Sequence, residues 1–134
     1  MRLYSVAIAS LAVDAPIKWT DNLLAQHAIQ DVHARSRGVA RGVSWAGLVR
    51  IALIRGLHVQ LGCGVREAVM LSSGLLRSEN GTITLGDRLT LAVDRDALER
   101  DIQRRLAVAL ESAPRPRRGR PARRDRDRQS SDAG

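Results

Sequence analysis

The amino-acid sequence predicts a mainly α-helical fold with two small β-hairpins. Apolar residues recur at steps of three and four positions in several segments, which is the spacing of one face of a helix. Two pairs of short, β-prone segments flank polar turns that contain glycine, as hairpin strands do. Of the 134 residues 44% are hydrophobic, close to the globular average, so the chain is able to bury one core.

Two short helices are predicted near the start of the chain. The first covers Tyr4–Val13, with Ser5 in position to cap it. The second covers about residues 16–26, because Pro16 suits the first turn of a helix. The break at residues 14–16 makes the pair a candidate helix-turn-helix.

A small two-stranded hairpin, which we interpret as a wing, is predicted next. Its strands are Ile29–Val32 and Val39–Val43, and Gly38 with its polar neighbours suits the turn between them. Three arginines are expected at the tip of this wing, where they can contact phosphates or the minor groove. These arginines are Arg35, Arg37 and Arg41.

A long helix is predicted to form the centre of the core. Ser44 caps it, and apolar residues follow at helical steps as far as Leu61. The segment Gly62–Gly64 ends this helix, and a further helix covers Val65–Leu76. Arginines on these two helices are expected to lie on solvated faces, namely Arg50, Arg55 and Arg66.

A second hairpin and a last helix complete the folded part. The hairpin pairs Thr82–Leu85 with Leu89–Val93, and Asp94 caps a helix that continues to about Glu111. An apolar residue recurs at every fourth position of that helix, which predicts burial against the hairpin or against a second subunit in a homodimer. These four residues are Leu98, Ile102, Leu106 and Leu110, and the apolar stripe of the helix also includes Ala109.

The sequence divides into three parts. Residues 1–77 hold the candidate helix-turn-helix and wing, and residues 78–112 hold the second hairpin and last helix, a possible dimerisation element. Residues 113–134 are rich in arginine and proline and hold too few apolar groups to offset the cost of ordering, so we expect this tail to be disordered.

The charge is strongly positive and unevenly distributed. The formal net charge is +8, and Lys18 is the one lysine among 22 cationic residues. Residues 1–76 carry +4, residues 77–112 carry −1, and the tail carries +5. A basic front and a basic tail predict a polyanionic partner, most simply a nucleic acid.

Several other classes of protein are not favoured. The single cysteine, Cys63, gives neither an internal disulfide nor a metal-binding cluster, and no nucleophile arrangement indicates an enzyme or a cofactor. The apolar run Leu3–Val13 is too short to span a membrane, and nothing indicates a small-molecule ligand. With no phenylalanine, stacking on single-stranded bases is not expected. A reducing, bacterial-type cytoplasm fits best.

Residues 4–71 resemble the DNA-binding domain of the MerR family, a winged helix-turn-helix. The resemblance is carried by an arginine near the end of the wing, a serine-capped helix with an apolar ladder, a Leu-Gly pair and a short helix with a glutamate. These positions are Arg41, Ser44, Leu48, Ile51, Ile54, Leu57, Leu61-Gly62 and Glu67. After Lys18 the sequence departs from the Thr-Leu-Arg-Tyr-Tyr-Glu of the family. The phosphate contacts typical of the family therefore do not transfer to this helix. The C-terminal sensor region of the family is also missing.

The second helix carries the candidate base-reading residues. Asparagine and glutamine can bind adenine through two hydrogen bonds, and lysine can reach guanine acceptors. The tryptophan in this helix has an alternative role as a packing residue. The candidates are Lys18, Trp19, Asn22 and Gln26.

The tail contains a short motif that resembles the core of an AT-hook. In such a motif the glycine lies deep in the minor groove and the arginines insert along its floor, which a narrow A·T tract favours. The alternative is a charged tail that attracts any phosphate backbone. The motif consists of Arg118, Gly119, Arg120 and Pro121.

Together these features predict a sequence-specific double-stranded DNA-binding protein, a MerR-like transcriptional regulator without a small-molecule sensor domain. In this hypothesis helix 16–26 enters the major groove and the wing contacts the adjacent backbone. Two alternatives stay open. One is an architectural, excisionase-like protein that bends DNA, and the other is a protein-interaction module such as an antitoxin.

Overall fold

The computed structural model describes residues 2–33 and 41–112. Within these ranges the chain forms five helices and two two-stranded antiparallel sheets, which confirms the predicted mainly helical fold with two small hairpins. No helix in the described ranges is both long enough and apolar enough to cross a membrane. The elements are α1 (Val6–Ala12), α2 (Ile17–Gln26), β1 (Val32–His33), β2 (Gly42–Val43), α3 (Trp45–Leu61), α4 (Val65–Arg77), β3 (Thr82–Leu85), β4 (Leu89–Ala92) and α5 (Arg95–Ser112).

The helix α1 is shorter than predicted because its first residues take other roles. Ser5 caps it as expected, with its hydroxyl accepting from the amide of Ile8 at 3.2 Å. Tyr4, predicted to be helical, instead exchanges two backbone hydrogen bonds with Val43, of 2.8 and 2.9 Å. The N-terminal segment therefore pairs with β2 of the sheet β1–β2, at Val43.

The described part of the first hairpin is also shorter than predicted. Val32 pairs with Val43 and His33 pairs with Gly42, while residues 34–40 lie outside the described part of the chain. Ile29, predicted to begin the first strand, is instead a buried core residue. Between Ile29 and β1 the chain turns sharply, because Asp31 has a φ of 67°, in the left-handed region.

The central helix α3 is held at its start by the turn before β1. Ser44 caps the helix, accepting from the amide of Gly47 at 3.2 Å, and its own hydroxyl donates to the carbonyl oxygen of Asp31 at 2.9 Å. The amide of Ser44 donates to the same oxygen at 3.2 Å. The predicted ladder is confirmed as the core of the protein, since Leu48, Ile51, Ile54 and Leu57 are all buried. At the other end Gly62 adopts the left-handed conformation that terminates many helices.

The apolar stripe of α5 packs against α1 and α3 of the same chain. Ile102 and Leu106 are buried, and they are therefore core residues that are not free to meet a second subunit. Leu98 is half-buried, but Leu110 is 39% exposed and Ala109 takes the inner position. A step of four residues advances about 40° beyond one helical turn, so three such steps carry Leu110 off the buried face. That the chain forms a homodimer stays a prediction.

Candidate nucleic-acid interface

The outer face of α2 presents three of the four residues predicted to read bases. Lys18, Asn22 and Gln26 follow one another at four-residue steps, and all three are exposed. The opposite side of the helix is anchored in the core by Thr20 and Leu23, which are 0% and 3% exposed. The structure thus brings one ammonium and two amide groups together on a single solvent-facing surface, which we call the α2 face.

The fourth candidate, Trp19, packs against α3. Its ring lies 4.8 Å from the guanidinium carbon of Arg55 and is stacked on His58, with 6.0 Å between the ring centres. The His58 ring is itself fixed, since its Nδ1 lies 2.8 Å from the backbone oxygen of Cys63. Trp19 therefore determines how α2 is seated on α3, which is the packing role that the sequence left open.

Arg41 is joined to α2 by an ion pair. Its Nη1 donates to Oδ1 of Asp21 at 3.0 Å, and the arginine side chain is 20% exposed while that of the aspartate is 60% exposed. Arg41 directly precedes β2, so this contact connects the hairpin, at the end of its strand pairs that leads to residues 34–40, to the helix that carries the α2 face. Sequence reasoning missed Asp21, although an acidic residue in the candidate recognition helix was a visible signal.

Arg50 is not on a solvated face, contrary to expectation. Its guanidinium donates to the side-chain oxygen of Gln30 at 3.1 Å and to the hydroxyl of Ser73 at 3.3 Å, and it lies 3.8 Å from the carboxylate of Asp31. The side chain is 11% exposed, and its Nε has no hydrogen-bond partner among the described residues. Arg50 thus holds the turn before β1 against α3 and α4. Arg66 is exposed as expected.

One groove of the described residues lies away from the α2 face. It has a volume of about 490 Å³ and runs between the end of α1, α3, β4 and α5, without a residue of α2 in its lining. Apolar side chains such as Leu57 and Leu91 line it, and its charged residues include Asp101 and Arg105, which pair with each other. Among the described residues no group of three or more metal-ligating side chains occurs.

The remaining predicted contacts lie outside the described residues. These are Arg35 and Arg37 in the hairpin connection, and Arg118, Gly119, Arg120 and Pro121 in the tail. Comparison of the chain with known protein families, with curated proteins and with solved structures finds no match. The case for a function therefore rests on the chemistry of this chain's own residues.

Proposed function

We propose that the protein binds double-stranded DNA sequence-specifically through a winged helix-turn-helix of MerR-like type. Its role in this proposal is that of a transcriptional regulator. The observation that supports this most strongly is the α2 face, where Lys18, Asn22 and Gln26 are exposed in a line beside the hairpin β1–β2.

The shape and chemistry of the α2 face suit the major groove. The ten residues of α2 span about 15 Å along the helix axis. The major groove of B-form DNA is wide enough to admit an α-helix. The two amides offer adenine a donor and an acceptor at once, and the ammonium of Lys18 reaches guanine acceptors. Because α2 is seated on α3 through Trp19, these groups are held in a fixed relation to the core.

The charge distribution supports a polyanionic partner as well. The segment that connects β1 to β2 contributes Arg35 and Arg37, and the tail contributes a further net charge of +5. In the proposal the hairpin arginines contact the backbone beside the groove that α2 enters. The tail adds affinity for nearly any duplex, with an A·T preference if Arg118–Pro121 occupies the minor groove.

The direct test is selection of bound duplexes from a random pool, followed by sequencing. We expect the full chain to enrich a defined site, and the triple variant Lys18→Ala, Asn22→Ala, Gln26→Ala to lose that enrichment. A matched control removes one cation and two amides from exposed helical positions elsewhere: Gln60→Ala, Arg66→Ala, Gln103→Ala. It should enrich the same site as the wild type.

Two outcomes would contradict the proposal. Tight binding of all duplexes alike would instead favour the architectural DNA-bending alternative. An absence of duplex binding would favour the protein-interaction alternative, in which the basic residues have no nucleic-acid role.

A further inference from the structure

Asp21 lies at the edge of the surface that we propose to face DNA. It is exposed on α2 three residues after Lys18, so the two side chains are neighbours on the helix surface, on the Lys18 side of the α2 face. A free carboxylate in this position would repel the phosphates on either side of the groove. Its presence therefore requires a physical reason.

The ion pair with Arg41 removes most of that repulsion. Arg41 bonds to Oδ1 of Asp21, which neutralises the charge, while Oδ2 accepts no hydrogen bond from the described residues. The arginine is the more buried partner, at 20% exposed against 60% for the aspartate. The pair thus presents to solvent a carboxylate oxygen that accepts from none of the described residues and carries little net charge.

Two bases offer an amino donor to such an acceptor in the major groove, but the N7 acceptor of adenine lies beside its amino group and would repel a carboxylate, which leaves cytosine as the better partner. Carboxylates there accept from the exocyclic amino group of cytosine, whereas guanine presents acceptors at the same edge and would be rejected. We propose that Asp21 reads a cytosine through its N4 amino group, and that Arg41 is a positioning residue which fixes and neutralises the carboxylate. This assignment rests on the proposed function and names a specificity determinant within it.

The test compares the base preferences of the full-length wild type with those of single variants, by selection from a random duplex pool and competition titration. We expect the wild type to prefer cytosine at one position of its site by about tenfold or more. Asp21→Asn should shift that single position towards adenine, because an amide matches the adenine edge, and should leave the other positions unchanged. Arg41→Met should weaken the preference at the same position, and Arg41→Lys should restore part of it.

A matched control separates base reading from simple loss of negative charge. Asp14 is also exposed, at the turn before α2, and has a φ of 57°, which asparagine tolerates. Asp14→Asn should keep every base preference of the wild type. Thermal unfolding midpoints of the Asp21 and Arg41 variants close to that of the wild type would exclude a merely structural effect.

The assignment is overturned if Asp21→Asn keeps the wild-type preference at every position, or if it only tightens binding to all duplexes alike, which is the effect expected from the loss of a negative charge alone. A wild type that enriches no site overturns the proposed function itself, and this assignment with it. Whether the wild type enriches a site therefore distinguishes a failure of the proposed function from a failure of the Asp21 assignment alone.

Discussion

The guanidinium carbon of Arg55 lies 4.8 Å from the centre of the Trp19 ring, so a cation of α3 covers the aromatic side chain that seats α2. A contact of this kind adds electrostatic attraction to the apolar burial of the ring. Together with buried Thr20 and Leu23, this contact holds α2 against the rest of the protein.

Replacing Trp19 by alanine should therefore destabilise the protein. We expect a loss of about 2 kcal/mol in the free energy of unfolding, below the range for a fully buried aromatic because Trp19 is half-buried. Trp19→Phe should keep most of the stability and all of the base preference. Denaturant titration measures the first effect. A Trp19→Ala variant with wild-type stability but weakened DNA binding would show that the ring contacts DNA instead.

Two glycines of α3 should respond in opposite ways to alanine. A β-carbon on Gly47 would lie 2.5 Å from the carbonyl oxygen of Asp31 and 2.9 Å from Cγ1 of Val43, so Gly47→Ala must displace the turn before β1. We expect it to cost about 2 kcal/mol or more. A β-carbon on Gly56 would meet nothing within 4 Å, so Gly56→Ala should stabilise the helix by about 0.5–1 kcal/mol. If Gly47→Ala and Gly56→Ala changed the free energy of unfolding equally, in thermal or denaturant unfolding, this packing of α3 would be contradicted.

Stability at acid pH should depend on Asp101. The hydrogen bond from Arg105 is the largest effect and lowers the pKa of this carboxyl below its ordinary value of 3.8. Burial raises the pKa by less than that hydrogen bond lowers it, and the charge of Arg105 with the hydrogen bond and charge of Arg104 lowers it further. A lowered pKa means that the stabilisation is complete above the ordinary value and is lost as the pH falls through the lowered pKa. The difference in unfolding free energy between wild type and Asp101→Asn should therefore shrink below about pH 4. A difference that is constant with pH would contradict the assignment.

Removal of residues 113–134 should change the salt dependence of DNA binding more than its sequence preference. Each phosphate that the tail neutralises in the full chain steepens the slope of log affinity against log salt by about 0.9, so the truncated chain should show a flatter slope. Binding to the preferred site and to unrelated duplexes should weaken together. An unchanged slope, measured by titration at several salt concentrations, would mean that the tail does not bind phosphates.

The elements governed by local periodicity could be predicted from the sequence. The ladder of α3 from Leu48 to Leu57 shows a repeated helical step, Ser44 is a capping residue, and Gly62 suits a helix end, so each local preference agrees with the fold. That Lys18, Asn22 and Gln26 share one exposed face follows in the same way, since four-residue steps place them on one side of a helix.

What could not be predicted depends on contacts between distant residues. The pairing of Tyr4 with Val43 and the ion pair of Asp21 with Arg41 join positions that no local pattern relates. The burial of Arg50 likewise depends on Gln30 and Ser73, which meet it only in the folded chain. In α5 the apolar stripe predicted the helix and contained both Ala109 and Leu110, but the pattern did not tell which of the two is buried; in the folded chain it is Ala109.

We propose that the α2 face gives sequence-specific binding to duplex DNA. The decisive measurement is the ratio of the dissociation constants for an unrelated duplex and for the selected site, at physiological salt, for the wild type and for the Lys18, Asn22, Gln26 triple variant. We predict a ratio of about a thousandfold or more for the wild type and a ratio near one for the variant. A wild-type ratio near one, or a variant that keeps the wild-type ratio, would contradict the claim.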